Sequence, residues 1–141
     1  MFQKMLTPFT ESTYALLRIV VGLMFSFHGM QKIIGVLGSQ TQAPWSQVWF
    51  GGLIELVCGL LIAFGFLASP AAFLASGTMA VAYSQFHWKF RFDNNFFPAQ
   101  NGGNGGELAL AYAFLFLFIA CKGAGKWSVD AKMAKRGESA S

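Results

Sequence analysis

Charge is what this chain has least of. Of its 141 residues only 11% are Asp, Glu, Lys or Arg, whereas 55% are hydrophobic. A soluble domain carries about 25% charged residues to wet its surface, so a water-soluble globule is excluded and a membrane protein is expected. Cysteine is nearly absent as well. The two present, Cys58 and Cys121, lie inside apolar runs without a CxxC pair. That pattern excludes a disulfide framework and a thiolate metal site, and leaves two hydrophobic thiols. Period-2 alternation is missing too, which argues against a transmembrane barrel. Acidic residues are outnumbered, six against ten basic, for a net charge of +4. No nucleic-acid-binding motif accompanies that surplus, so no nucleic-acid partner is expected.

What the chain does have is aromatic and aliphatic surface, with sixteen Phe and four Trp. Large rings suit a lipid-facing exterior and interfacial belts. Four apolar runs stand out, at about 12–35, 48–67, 70–88 and 105–122. A spanning helix needs ~20 residues, and Pro70 fits the first turn of the third run. The expected fold class is therefore all-α, an integral membrane four-helix bundle forming one domain over 1–141, with a tail at 123–141. Lys4 followed by Ile19–Phe27 imitates a signal peptide. Arg18 borders that run and no small-x-small cleavage pattern follows, so the segment is expected to be retained.

Basic residues set the expected orientation. Lys4, Lys122, Lys126, Lys132, Lys135 and Arg136 lie near the two ends of the chain. The positive-inside rule then makes both termini cytoplasmic in a multi-pass protein. Connections near 36–47 and 89–106 face outward, and a tight turn around Gly65–Ser69 faces the cytoplasm.

Against this apolar background a few ionisable residues are conspicuous. A charge at the bilayer centre costs roughly 2.5–3.5 kcal/mol on insertion scales, so such groups face other helices or a wet cavity. Glu55 lies roughly 10 Å deep from the outer end of the second run, His28 roughly 10–12 Å and Lys32 roughly 5–6 Å from the outer end of the first. His87 closes the third run on the same side and Glu107 opens the fourth. The candidate polar or ligand-binding cluster is Arg18, His28, Lys32, Glu55, His87 and Glu107, with Glu55 and His28 as its candidates for catalysis. At 100° per residue Arg18, Gly22, Phe25, Gly29 and Lys32 share one stripe, and Gly52, Glu55 and Gly59 another. Small residues on such faces allow close packing in lipid.

Plainer readings stand beside these. Lys32 and Glu55 make a structural ion pair, or Lys32 snorkels outward and Arg18 inward. His28 is a packing residue, His87 is interfacial, and the pair is only a weak set of haem ligands. The alternation Trp88-Lys89-Phe90-Arg91-Phe92 reads as an interfacial belt or as a lid over the cluster. The glycines of 102–106 lack the phosphate-loop lysine and read as a flexible entry to the fourth run. No metal site is expected.

The ordered set Arg18-x-x-x-Gly22-x-x-Phe25-x-x-His28-Gly29-x-x-Lys32, Glu55-x-x-x-Gly59, Asn104-Gly105-Gly106-Glu107 and Gly125-x-x-Ser128-x-Asp130 resembles the DoxX family of small membrane proteins. The resemblance implies a four-helix protein of the bacterial cytoplasmic (inner) membrane. It further implies, at most, the membrane subunit of an oxidoreductase complex, since some members are described as subunits of thiosulfate:quinone oxidoreductases or of complexes handling thiol and oxidative stress. Quinone is then the candidate cofactor. The chain has no flavin, haem or iron–sulfur motif of its own, so electrons would come from a soluble or membrane redox partner. Competing readings are a non-catalytic scaffold or assembly subunit and, last, a small transporter.

Overall fold

The computed structural model describes residues 2–138, and every regular element among them is helical. Helix α1 (Phe2–Leu6) runs through a 3₁₀ turn into α2 (Thr10–Ile34), α3 covers Gln47–Phe64, and α4 covers Ala68–Ala82 before a π-helical turn at Tyr83–Trp88. Helix α5 (Glu107–Lys122) and a short α6 (Val129–Glu138) complete the chain. Two helical stretches, Phe2–Ile34 and Gln47–Phe64, are long and apolar enough to cross a membrane. Helix α4 counts 15 residues before its π turn and α5 counts 16. At 1.5 Å per residue, α5 extends about 24 Å, less than a hydrocarbon core of ~30 Å.

The helix ends differ from the apolar runs for local reasons. Helix α3 stops at Phe64, three positions short of the second run, because Gly65 takes a left-handed conformation (φ +67°) and returns its N–H to Ile62 and Leu61. Such an αL cap is natural for glycine. Helix α5 begins at Glu107, where the fourth run was expected from 105, with Gly106 as its N-cap. The third run continues from α4 to Trp88, its last turn widened to π geometry. The tail expected at 123–141 contains α6, which folds back on the bundle.

Helices α2 and α3 form an antiparallel hairpin packed backbone to backbone. A Cβ on Gly22 would lie 2.7 Å from the Gly59 carbonyl, and one on Gly29 would lie 2.5 Å from the Gly52 carbonyl. Only glycine permits that approach, the usual way helices associate where no hydrophobic effect pulls them together. Helices α4 and α5 pair alongside, joined by alanines: Ala71, Ala72 and Ala75 meet Ala109 and Ala113 in one core with Phe25, Ile62, Phe116 and Ile119. The large side chains point the other way. Leu16, Val20, Leu23 and Phe27 on α2, Val57 and Phe64 on α3, Phe73 on α4, and Phe114 and Phe118 on α5 are all exposed. Soluble monomers rarely display apolar surface of that extent; glycines and alanines at the helix contacts and many large apolar side chains outside are what lipid selects.

Candidate functional site

The hairpin carries the site. Lys32 lies in the last turn of α2, and its Cβ occupies the space beside Gly52, 2.8 Å from where a side chain there would begin. Glu55 is one turn further along the same face of α3, so the lysine stem crosses the glycine and its ammonium reaches the carboxylate. The Nζ–Oε1 distance is 2.5 Å. Exposure is unequal: the Lys32 side chain is 33% accessible and that of Glu55 3%. One carboxylate oxygen is paired while Oε2 is buried without a hydrogen-bond partner.

A second orphan lies on α5, where the Tyr112 hydroxyl is also buried without a partner. His28, half-buried, meets the Tyr112 ring edge-on at 6.2 Å between centroids. Buried polar atoms are nearly always satisfied in native structures, so Glu55 Oε2 and the Tyr112 hydroxyl each keep hydrogen-bonding capacity for a further polar group. The sequence offered only a partial signal for Tyr112, a phenol amid apolar residues whose hydroxyl needs a partner if it is buried.

Between α3 and α4 a cleft of about 630 Å³ opens beside this cluster. Lys32, Gln47, Glu55, Thr78 and His87 are its polar lining residues, and Phe50, Ile54, Phe73 and Val81 are among the apolar residues that make up most of the rest. His87 is placed by the loop before α5. Its Nδ1 lies 3.2 Å from the Asn104 carbonyl, and its Cβ fills the space that a side chain on Gly106 would need. Asn104 fastens that loop: its Oδ1 accepts the Gly106 N–H at 2.7 Å and its Nδ2 donates to the Asn95 carbonyl at 2.9 Å. Asn95 in turn donates to the His87 and Trp88 carbonyls at 2.8 and 2.5 Å. The 88–97 aromatic stretch is thus anchored beside His87, with Trp88 against Phe90, Phe92 and Phe96. Here Asp93 is held below the usual carboxylate range, first by the Asn95 backbone N–H and then by the Arg91 guanidinium.

Two of the six expected cluster residues lie apart. Glu107 is exposed in the first turn of α5, where its charge suits the helix N-terminus. Arg18 shares the helical stripe of Lys32 but sits fourteen positions earlier, roughly 21 Å along the axis. It is completely buried at the opposite end of the bundle. There it donates to the last-turn carbonyls of α3, Ile62 at 2.5 Å and Ala63 at 2.7 Å, and to the Trp127 carbonyl at 2.9 Å. The Tyr14 hydroxyl donates to the Gly123 carbonyl at 2.5 Å. Asp130 accepts the N–H groups of Leu67 and Ala68 at 3.0 and 3.1 Å, capping α4 from the chain's far end. Lys122 pairs with Glu11 at 2.7 Å. These contacts bring the two ends of the chain together at one pole, opposite the Lys32–Glu55 pair. Among the described residues, no three His, Cys, Asp or Glu side chains group as metal ligands.

The DoxX family profile matches residues 13–88. The chain belongs to the DoxX family. That stretch holds the glycine-packed hairpin, the Lys32–Glu55 pair, Arg18 and His87. A protein of Haemophilus influenzae, itself described only as uncharacterized, is 39% identical over 126 residues, covering 86% of this chain and 91% of that one. No solved structure matches. Family membership makes this a DoxX membrane protein, and neither comparison carries an activity with it.

Proposed function

We propose that this DoxX protein is the membrane subunit of a quinone-linked redox complex in the bacterial inner membrane, with both termini cytoplasmic and the polar site in the outer half of the bundle. The observation that carries the reading is the pair of unpartnered buried atoms, Glu55 Oε2 and the Tyr112 hydroxyl, in a cluster whose Lys32 and Glu55 also line an apolar cleft. The residues present fit a quinone: in the cleft wall Lys32 is a donor suited to a carbonyl oxygen, Glu55 is an acceptor suited to a hydroxyl, and the apolar residues suit a prenyl tail, while the Tyr112 hydroxyl on α5, outside the cleft's lining, is a further donor. A bound quinone supplies two-electron, two-proton chemistry, with electrons delivered by a partner protein. Glu55 would hold or accept a proton at Oε2, Lys32 would keep its charge compensated, and His28 would relay protons from the outer end past Tyr112.

A second reading is a scaffold or assembly subunit, favoured by the completeness of the Lys32–Glu55 contact on its Oε1 side and by the purely structural use of Arg18. Two experiments separate them. Isolation from native membranes identifies partner proteins and lipid-soluble cofactors. A quinone photoaffinity probe on the purified protein is expected to label residues of the α3–α4 cleft, with labelling reduced in Glu55→Gln and Tyr112→Phe. Absence of labelling, together with partner-dependent quinone reduction unchanged by Glu55→Gln, would remove the redox reading and leave the scaffold.

A further inference from the structure

At the pole opposite the Glu55 site, α6 lies against the bundle and keeps several of its described side chains exposed. Its inner side is committed: Asp130 caps α4, and the Asp130 N–H donates to the Gly65 carbonyl at 2.9 Å. Its outer side, at spacings of three and four, presents Val129, Lys132 and Met133. Val129 and Met133 are exposed apolar residues among cations. Trp127, just before the helix, is 58% exposed and holds a left-handed backbone (φ +54°) that a bulky residue adopts only under constraint. The constraint is Arg18, whose guanidinium holds the Trp127 carbonyl inward while the indole faces out.

Two clefts flank this helix. One, of about 460 Å³, is lined by Ile19 and Leu23 of α2, Phe64 at the end of α3, and Trp127, Val129 and Lys132. Its floor is continuous with the lipid-facing side of α2, and its rim carries an ammonium. The other, of about 530 Å³, includes Lys126, Lys132 and Lys135. Of the acidic side chains among the described residues, Glu11 lines this second cleft but is paired with Lys122, and Asp130 accepts the amides of α4. The local field is therefore positive, over an apolar floor at the edge of the bilayer.

We propose that this pole is a binding site for an anionic phospholipid, its acyl chain along Ile19, Leu23 and Phe64 and its phosphate between Lys132 and Lys135. Charge complementarity chooses the headgroup. A zwitterionic lipid brings its own cation to a lysine rim, whereas an anionic one adds attraction at each nearby lysine. The apolar floor chooses a lipid over a soluble phosphate, which has nothing to place there. This site is independent of the quinone reading, because it lies at the other end of the molecule and shares no residue with the Glu55 cluster.

The test is native mass spectrometry of the full chain, released from detergent containing equimolar phosphatidylglycerol and phosphatidylcholine. The wild type is expected to retain phosphatidylglycerol over phosphatidylcholine by roughly tenfold. The Lys132→Gln/Lys135→Gln variant is expected to fall to near parity, Lys132→Arg/Lys135→Arg to keep the preference, and Lys89→Gln/Arg91→Gln, at the other end, to behave as wild type. Phosphatidylglycerol raises the melting temperature of the wild type but not of the glutamine variant, and inorganic phosphate at equal concentration raises neither. Equal retention of the two lipids by the wild type, an unchanged preference in the glutamine variant, or full reproduction of the effect by inorganic phosphate each overturns the proposal.

Discussion

Removing either partner of the Lys32–Glu55 pair abolishes the same contact, yet the two losses are expected to differ several-fold. Lys32→Met leaves a carboxylate that is 3% exposed with neither oxygen satisfied. Stranding a buried charge in this way costs roughly 3–5 kcal/mol. Glu55→Gln leaves an ammonium on a side chain that is 33% exposed, whose long stem can carry it to the headgroups, and the amide still hydrogen-bonds. That loss is about 1 kcal/mol. In Lys32→Met/Glu55→Gln no charge is stranded, so part of the larger loss returns and the cycle shows a coupling of roughly 2–3 kcal/mol. Equilibrium unfolding in mixed detergent–SDS micelles reads all four proteins. Equal single losses, or strict additivity in the double variant, would refute the argument that unequal burial governs this pair. The same series serves the functional question, because Glu55→Gln is expected to be folded when its quinone labelling is measured.

Other consequences follow from the geometry. Arg18→Met removes a buried cation from several carbonyls, each such bond contributing about 1.5–3 kcal/mol; limited proteolysis is expected to cut near 123–128 in the variant and not in the wild type. Gly59→Val drives a branched side chain into the Gly22 carbonyl, 2.7 Å from its Cβ, and is expected to lower stability by more than the roughly 1–3 kcal/mol of ordinary overpacking, read as loss of the folded fraction in the same micelles. Tyr112→Phe deletes an unsatisfied hydroxyl, so stability stays within about 1 kcal/mol or rises, while quinone labelling falls. Asp93 has a depressed carboxyl pKa, so its support of the 91–95 turn is fully present above the unfolded value near ~3.9 and is lost as pH falls through the lower folded value. Amide exchange at Asn95 is expected to stay slow at pH 5 and to quicken, relative to the intrinsic rate, only below pH ~4; Asp93→Asn should remove that pH dependence.

Much of the architecture was readable along the chain. Scarce charge, long apolar runs and glycines at helical spacing require helices in lipid, and each of those features is local. Lys32 and Glu55 could be matched because both lie near the same end of adjacent runs. Arg18 shows where that reasoning stops. Its angle on α2 put it with Lys32, but an angle says nothing of height, and two residues on one stripe can serve opposite poles. Tyr112 was passed over because an isolated tyrosine in an apolar run resembles any interfacial ring until the packing of α5 shows its hydroxyl buried. Asp130 is more than sixty positions from the amides it caps, and no periodicity connects them.

By itself, then, the sequence determined the solvent and the elements: so few charges cannot cover a water-facing surface, and backbone polar groups in lipid must be satisfied within helices. Only the tertiary structure decided which polar groups meet. Hydrogen bonds and ion pairs act over a few ångströms, and which residues come that close depends on how the helices dock. That docking divided one supposed cluster into two: a pole where Glu55 and Tyr112 keep unspent hydrogen-bonding capacity inside the bundle, and a pole where Arg18 uses its guanidinium to hold the chain's end beneath the helices.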